Sequence, residues 1–174
     1  MNDSAAPSET VNALDRISVV TGRAASWLTL VMVLVTFVIV IMRYVFDAGM
    51  IWLQESVTWM HAAVFMLGAA YTLFAEDHVR VDIFYRRMTA AGRAWVDLVG
   101  VLLFLLPFCV YLAWASWDFA AVSWSMRETS RESGGLPYPL IPMLKSIVVV
   151  MPVAVGLQGL SLAARSISSI RGDR

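Results

Sequence analysis

The central part of the chain, residues 43–87, reads RYVFDAGMIWLQESVTWMHAAVFMLGAAYTLFAEDHVRVDIFYRR. It combines a short charged turn, an apolar run from Val57 to Phe74, and a dense cluster of opposite charges directly after that run. The apolar run contains one histidine, His61, and no Asp, Glu, Lys or Arg. Such a change from hydrocarbon-like to highly charged sequence is typical of a chain that leaves a lipid bilayer.

The composition of the whole chain also indicates a membrane protein. Of 174 residues, 59% are hydrophobic and 15% are charged, and the mean hydropathy is +0.71. A soluble domain carries about 25% charged residues, so this set does not suit a water-facing surface. The formal net charge of zero and the lack of basic runs give no indication of nucleic-acid binding. We expect a single membrane domain over residues 1–174.

Four apolar runs predict an all-α membrane protein with four transmembrane helices. We place the spans at about 24–43, 56–74, 94–124 and 146–165, after a polar tail at 1–15. The first run is expected to stay uncleaved, because it is too long for a signal peptide and no small-residue cleavage site follows it. The third run exceeds a hydrocarbon core of about 30 Å, so either Pro107 kinks it or its far end projects. Residues 83–93 are predicted to form a short amphipathic helix along the inner surface.

The distribution of Lys and Arg predicts the orientation of the spans. Nine of these residues lie in the two terminal segments and the 75–93 loop, whereas four lie on the opposite side. Cytoplasmic loops carry the excess of positive residues, so both termini and the 75–93 loop are expected in the cytoplasm. Trp52 is one of five tryptophans placed near the outer interface, where aromatic side chains anchor spans at the lipid headgroups.

Each span carries one stripe of small and polar residues, which indicates contact with other helices. On the second span, this stripe consists of Gln54, Thr58, His61, Gly68 and Thr72. Arg43 and Glu55 flank the outer turn, where they either pair across it or extend separately to water.

His61 allows two interpretations, because a membrane histidine binds haem or relays protons in some proteins and only forms a hydrogen bond in others. A haem with two histidine ligands needs a second histidine facing the first. The other histidine, His78, lies seventeen residues further on, roughly 25 Å along the same direction. We therefore expect a structural role for His61, no bound cofactor, and no metal. The single cysteine, Cys109, excludes a disulfide framework and a cysteine-pair metal site.

The spans lack the usual marks of a transport pathway. No span contains a carboxylate at its middle, and none is visibly broken there by paired Gly and Pro residues. The sequence therefore favours a membrane partner of a transport protein over a carrier that works alone. Two other classes of membrane protein are alternatives. One is a four-helix anchor subunit of a respiratory complex with haem or quinone, and the other is a small multidrug exporter. The first lacks paired histidines on facing helices, and the second needs a buried carboxylate in an early span.

The chain resembles the small membrane subunit of tripartite ATP-independent periplasmic (TRAP) transporters, the DctQ-like family, in four places. These are RYVF at 43–46, WLQE at 52–55, LGAAYTL at 67–73 and HVRVDIFY at 78–85, of which HVRVD after a span beginning W-x-x-E is the most specific. Met42 stands where the family often has Asn, and Gln54-Glu55 stands where it often has an acidic pair. These departures concern the substrate and leave the likeness to the family intact.

The resemblance implies a role without a reaction of its own. Small subunits of this family pair with a large polytopic subunit that carries the substrate and sodium sites. A periplasmic substrate-binding protein delivers the solute, commonly an organic acid anion. The resemblance thus implies a non-enzymatic scaffold in contact with lipid in the bacterial inner membrane. The residues expected to be structural or to face a partner are Arg43, Trp52, Glu55, His61, Gly68, His78, Arg80 and Asp82.

The HVRVD segment carries a separate hypothesis about the inner end of the second span. His78, Arg80 and Asp82 alternate with valines, and alternate residues of an extended segment point the same way. An Arg beside an Asp can pair with that carboxylate and also bond the open carbonyls at a helix end. We therefore expect this cluster to lock the inner end of the second helix.

Overall fold

The computed structural model describes residues 9–74 and 88–172 of the chain. These residues form four long helices: α1 (Glu9–Val45), α2 (Ile51–Phe74), α3, and α4 (Leu140–Gly172). α3 comprises α-helical Ala90–Gly100, a π-helical turn Val101–Leu105 and α-helical Leu106–Ser125. All four helices are long and apolar enough to cross a membrane, and the described ranges contain no strand. The prediction of an all-α membrane protein is confirmed.

The helices extend beyond the predicted spans. α1 begins at Glu9, so residues 9–15, which the sequence analysis assigned to a polar tail, are helical. Helix growth is cooperative, and residues 9–15 contain neither Gly nor Pro to stop it. α4 likewise begins at Leu140, six residues before the predicted span. An apolar run marks the part of a helix that suits hydrocarbon, whereas the backbone hydrogen bonds continue through polar residues at either end.

The predicted amphipathic surface helix at 83–93 falls partly outside the described residues, which resume at Met88. Thr89 caps α3, because its Oγ1 accepts a hydrogen bond from the Gly92 N–H at 3.1 Å. Residues 90–93 therefore belong to the first turn of α3 and not to a separate surface helix. The cap sets this boundary, since it satisfies one of the N–H groups that have no partner within the helix.

The π-helical turn explains how α3 accommodates Pro107. The Leu106 N–H bonds the Val101 carbonyl, five residues back, immediately before this proline. Proline has no N–H to donate, and its ring collides with the carbonyl four residues back in a regular α-helix. A wider turn relieves this clash and keeps the helix continuous. The span Ala91–Ser125 holds 35 residues, which is about 52 Å and longer than the hydrocarbon core.

α4 is the central helix of the bundle. It packs against α1, α2 and α3, whereas α3 packs mainly on α4 and α1 packs mainly on α2. The buried face of α4 consists of small, polar or proline residues: Pro142, Pro152, Gly156, Gln158, Gly159, Ser161, Ala163 and Ser166. Small residues let helix backbones approach closely in a membrane, where burial of apolar surface adds little drive. At Gly159, for example, an added Cβ would lie 2.7 Å from Leu105 Cδ2.

Candidate functional site

The loop at residues 126–139, between α3 and α4, folds over the start of α2. Ser130 Oγ donates a hydrogen bond to Glu55 Oε1 at 2.5 Å, and the Leu136 N–H donates one to Glu55 Oε2 at 2.7 Å. Both carboxylate oxygens are therefore used, and hydrogen bonds to an ionised acceptor are roughly twice as strong as neutral ones. We call Glu55, Ser130, Gly134, Gly135 and Leu136 the loop clamp, and the end of the bundle that holds them the loop end.

The same loop also caps the α2 backbone. The Trp52 N–H, in the first turn of α2, donates to the Gly134 carbonyl at 3.1 Å. The first four N–H groups of a helix have no partner within it, so this bond satisfies one of them. The Trp52 side chain is about half exposed, at 48%. Its backbone therefore belongs to the clamp, while its indole lies on the surface, where the sequence analysis expected an aromatic anchor.

Two adjacent glycines make this close approach possible. Gly134 has φ = +78°, a conformation that side chains with a Cβ rarely adopt. At Gly135, an added Cβ would lie 2.3 Å from Ser130 Oγ and 2.6 Å from Glu55 Oε2. Any larger residue at position 135 would therefore displace the Ser130 hydroxyl, which donates to Glu55 Oε1, and Glu55 Oε2, which accepts from the Leu136 N–H.

Further backbone bonds close the loop on itself. The Ser130 N–H donates to the Leu136 carbonyl at 3.0 Å, and the Gly135 N–H donates to the Glu132 carbonyl at 3.0 Å. The Ser130 hydroxyl also accepts the Glu132 N–H at 3.1 Å. Leu136 is buried, with 5% of its surface exposed, so the loop has an apolar anchor as well. These bonds hold Ser130 and Leu136 in place to donate to Glu55.

An ion pair joins the loop to α4. Lys145 Nζ lies 2.5 Å from Glu128 Oε2 and 4.3 Å from the centre of the Phe119 ring. The hydrogen bond from Lys145 holds the pKa of the Glu128 carboxyl below its ordinary value of 4.5. The ammonium group over the ring adds a cation–π contact between α4 and α3.

Two tryptophans make further hydrogen bonds at the loop end. Trp59 Nε1 on α2 donates to the Leu140 carbonyl at the start of α4, at 2.9 Å. Trp124 Nε1 on α3 donates to Ser146 Oγ on α4 at 2.8 Å, and its ring meets Tyr138 edge-on at 6.1 Å. α4 is therefore bonded to both α2 and α3 at this end.

The predicted pairing of Arg43 with Glu55 is not formed within the described residues. The Glu55 carboxylate accepts hydrogen bonds from Ser130 and Leu136, and the Arg43 side chain is exposed. The second interpretation of Arg43, a side chain that extends to water at a helix end, agrees with this exposure. Glu55 is bonded instead by Ser130 and Leu136 of the loop, 75 and 81 residues further along the chain.

His61 and Gly68 lie away from the clamp, along the open side of the α1–α2 pair. His61 is exposed and lines a groove of about 400 Å³ with Met32, Val33, Thr36, Val57 and Thr58. Gly68 lines a second groove of about 470 Å³, further along the same two helices. Neither residue is brought to Glu55, and their predicted contact with a partner stays a prediction.

The other three predicted site residues, His78, Arg80 and Asp82, lie outside the described residues. Their expected roles stay predictions, and so does the argument about a haem ligand at His78. In the parts of the chain that the structure describes, no group of three or more His, Cys, Asp or Glu side chains could hold a metal ion.

Sequence reasoning missed most of the loop clamp. The sequence analysis assigned no role and no partner to Ser130, Gly134, Gly135 and Leu136. The available signal was the paired glycines in SGGLP at 133–137, because adjacent glycines often allow backbone to approach another group closely. That signal does not say which carboxylate is approached.

Comparisons with known proteins agree with this architecture. Residues 32–172 match the family model of the DctQ component of tripartite ATP-independent periplasmic transporters. The chain is 32% identical over 111 residues to the C4-dicarboxylate TRAP transporter small permease protein DctQ of Vibrio cholerae serotype O1, covering 62% of this chain and 46% of that relative. The chain thus spans about half the length of the relative that it matches. No solved structure matches the chain.

Proposed function

Because this chain belongs to the family of DctQ components of TRAP transporters, we propose that it is the scaffold subunit of a secondary transporter. In this proposal, it braces a large polytopic subunit in the bacterial inner membrane. That partner binds the solute and uses the sodium gradient, and a periplasmic binding protein supplies the solute. The small subunit itself carries out no catalysis.

The observation that carries the scaffold role is the closure of the loop end. Glu55, Trp52 and Trp59 of α2 are each hydrogen-bonded to the 126–139 loop or to the start of α4. Lys145 and Trp124 add bonds between α4 and the α3 side. A subunit whose helices are tied together by their own hydrogen bonds keeps its shape without a partner. A brace needs that property, whereas an alternating-access carrier must change shape.

The sequence supports the proposal that the large subunit, and not this chain, binds the solute and sodium. No span has a carboxylate at its middle, although coupling sites for protons or cations usually contain one. Asp118 is exposed and lies seven residues before the end of the helical segment Leu106–Ser125, close to the loop end. We therefore assign solute and sodium binding to the large subunit.

The solute that we propose is an organic acid anion. The relative from Vibrio cholerae is named for C4-dicarboxylates, which are members of this chemical class. The departures at Met42 and at Gln54-Glu55 from the common family pattern leave the particular acid open. C4-dicarboxylates are therefore the first solutes to test.

The proposed orientation places both termini and the 75–93 loop in the cytoplasm, and the loop end outside. To test it, single cysteines are placed at Ser133 and Met88, which are both exposed, in a Cys109→Ala background. We expect an impermeant thiol reagent added outside intact cells to label position 133 and not position 88. The reverse pattern would mean that the orientation inferred from Lys and Arg is wrong.

Vesicle reconstitution tests the function. Vesicles that contain this chain and its large subunit, with the binding protein and a C4-dicarboxylate outside, are expected to accumulate solute only when sodium is in excess outside. Vesicles with this chain alone should match empty vesicles. Uptake by this chain alone would contradict the scaffold role. Full uptake by the large subunit without this chain would show that the scaffold is not needed.

Mutation of the cluster formed by His78, Arg80 and Asp82, predicted to lock the inner end of the second helix, tests assembly with the large subunit. We expect Arg80→Ala and Asp82→Ala each to reduce co-purification with the large subunit, with a double mutant no worse than the poorer single one. Two residues that act as one pair give this non-additive pattern. If both single variants assemble and transport like the parent, the cluster is an ordinary solvated loop.

A further inference from the structure

The exposure of His61 is the starting observation. α2 has 24 residues, and His61 lies ten residues from its start and thirteen from its end, roughly 15 Å and 20 Å along the axis. It is therefore near the middle of the span. The side chain is exposed and forms no hydrogen bond or ion pair with another described residue.

A histidine in this position needs a partner that lipid does not supply. Hydrocarbon offers neither donors nor acceptors, so each unsatisfied polar group there costs several kcal/mol. Ionisable residues within spans accordingly face protein or a water-filled cavity in most membrane proteins. Residues 9–74 and 88–172 supply no such group to His61, which favours one from a neighbouring protein.

The surroundings of His61 are shaped to accept a helix. Two consecutive grooves of about 400 and 470 Å³ follow one side of the α1–α2 pair. We call them together the α1–α2 groove. Its small or polar lining residues are Gly22, Ala25, Ser26, Thr29 and Thr36 on α1, and Thr58, His61, Gly68, Ala69 and Thr72 on α2. From Gly22 to Thr36 the groove follows α1 for about 21 Å. Gly22 is buried beneath Tyr71, whereas the small residues from Ala25 to Thr36 on α1 and from Thr58 to Thr72 on α2 permit a third helix to approach closely.

The outer face of α3 offers the contrasting case. Tyr111 is exposed near the middle of the span, and the other exposed residues there are large and apolar: Leu102, Leu103, Phe104, Phe108 and Val110. Such side chains need no partner in hydrocarbon and fit against lipid tails. The imidazole of His61 thus distinguishes the α1–α2 groove from this face, whose exposed polar group near mid-depth is one tyrosine hydroxyl.

We propose that the α1–α2 groove receives a transmembrane helix of the large subunit, which accepts or donates a hydrogen bond at His61. The inference rests on the proposed function for the identity of the partner. Depth excludes the soluble binding protein, because His61 lies roughly 15 Å from one end of its span and 20 Å from the other. Lipid tails are excluded because they cannot bond the imidazole.

A pair of phenylalanines gives a matched crosslinking test. Phe65 lines the groove and is 71% exposed, whereas Phe108 lies on the outer face of α3 and is 60% exposed. Each is replaced in turn by the photo-reactive p-benzoylphenylalanine, in cells that express the complete transporter. We expect irradiation to give a product at the summed mass of the small and large subunits from position 65, and several-fold less from position 108.

Each other outcome overturns the assignment of the groove. A product at twice the mass of the small subunit from position 65 would show a second copy there. An intact complex that crosslinks from position 108 and not from position 65 would place the large subunit on α3, leaving the proposed function unharmed. Failure of the parent subunits to co-purify would reject the proposed function itself, and this inference with it.

Substitution of His61 tests the hydrogen bond separately. A hydrogen bond between membrane helices contributes an amount equivalent to roughly a threefold change in association. His61→Leu is therefore expected to reduce recovery of the large subunit about threefold, and His61→Gln, which keeps a donor and an acceptor, is expected to restore it. Equal recovery with Leu and with the parent histidine would overturn the role assigned to His61.

Discussion

The loop clamp and the α1–α2 groove are each centred on one polar residue of α2, and the two residues differ in how their bonds are satisfied. Glu55 is partly buried and bonded by Ser130 and Leu136 of its own chain. His61 lies six residues further on, about 9 Å along the axis, and is exposed without a partner among the described residues. One helix thus contributes to internal rigidity at its loop end and presents an open face at mid-depth. The following predictions test that difference.

The largest effect is expected from Glu55→Ala. This change removes the acceptor of two hydrogen bonds and leaves the Leu136 N–H without its partner. Each hydrogen bond to a charged group contributes about 1.5–3 kcal/mol, and this change removes two of them. If trypsin acts on an opened loop, cleavage after the exposed Arg131 should accelerate about thirtyfold or more in detergent. Gln54→Ala, at the exposed neighbouring position, is the control and should leave the rate unchanged. Equal rates in both variants would mean that the clamp does not hold the loop.

A somewhat smaller effect is expected from Gly135→Ala. The added Cβ would collide with Ser130 Oγ and Glu55 Oε2, so the loop must shift, at a cost of about 1–3 kcal/mol. Gly49→Ala is the matched control, because a Cβ at Gly49 would meet nothing within 4 Å. The midpoint of thermal unfolding in detergent should fall for position 135 only. A similar fall at both positions would indicate a general effect of replacing glycine in loops.

A modest dependence on pH is expected from Glu128. Its pKa is below the ordinary value of 4.5, chiefly because Lys145 donates to it, so folding favours the charged form. The resulting stabilisation is present above the unfolded pKa and is lost as the pH falls through the lowered pKa of the folded state. Lys145→Met should therefore lower the unfolding temperature at about pH 7, and the difference from the parent should shrink at about pH 3. A difference that is unchanged at low pH would assign the effect to packing on Phe119.

The smallest effect on the isolated chain is expected from His61→Leu. Since His61 bonds no described residue, its replacement should change the free energy of unfolding by no more than about 0.5 kcal/mol. The same variant is expected to weaken assembly with the large subunit. His61→Leu should therefore change assembly without changing the stability of the isolated chain, whereas Glu55→Ala should lower that stability. A large loss of stability from His61→Leu would show that the groove is needed for the fold itself.

The sequence by itself determined the membrane class, the four spans and the likeness to the family. The membrane class and the spans follow from runs of apolar residues, which act locally because each span must satisfy its own backbone hydrogen bonds in hydrocarbon. The likeness to the family follows from short motifs such as HVRVD at 78–82. It also marked Glu55 and His61 as residues that need partners. The helix ends at Glu9 and Leu140 were missed, because helices continue beyond the part that hydrocarbon requires.

Only the tertiary structure decided which partner each residue has. Glu55 is bonded by residues 75 and 81 positions away, and no local pattern specifies a contact over that distance. The central place of α4 likewise depends on which helix faces are smallest, a comparison among all four helices. Once α4 and the loop close the loop end, the His61 side of α2 is the face left open. The physical reason is that helix propensity and hydropathy depend on residues close together in sequence. Packing and hydrogen bonding between helices depend on residues that are distant in sequence and meet only in the folded structure.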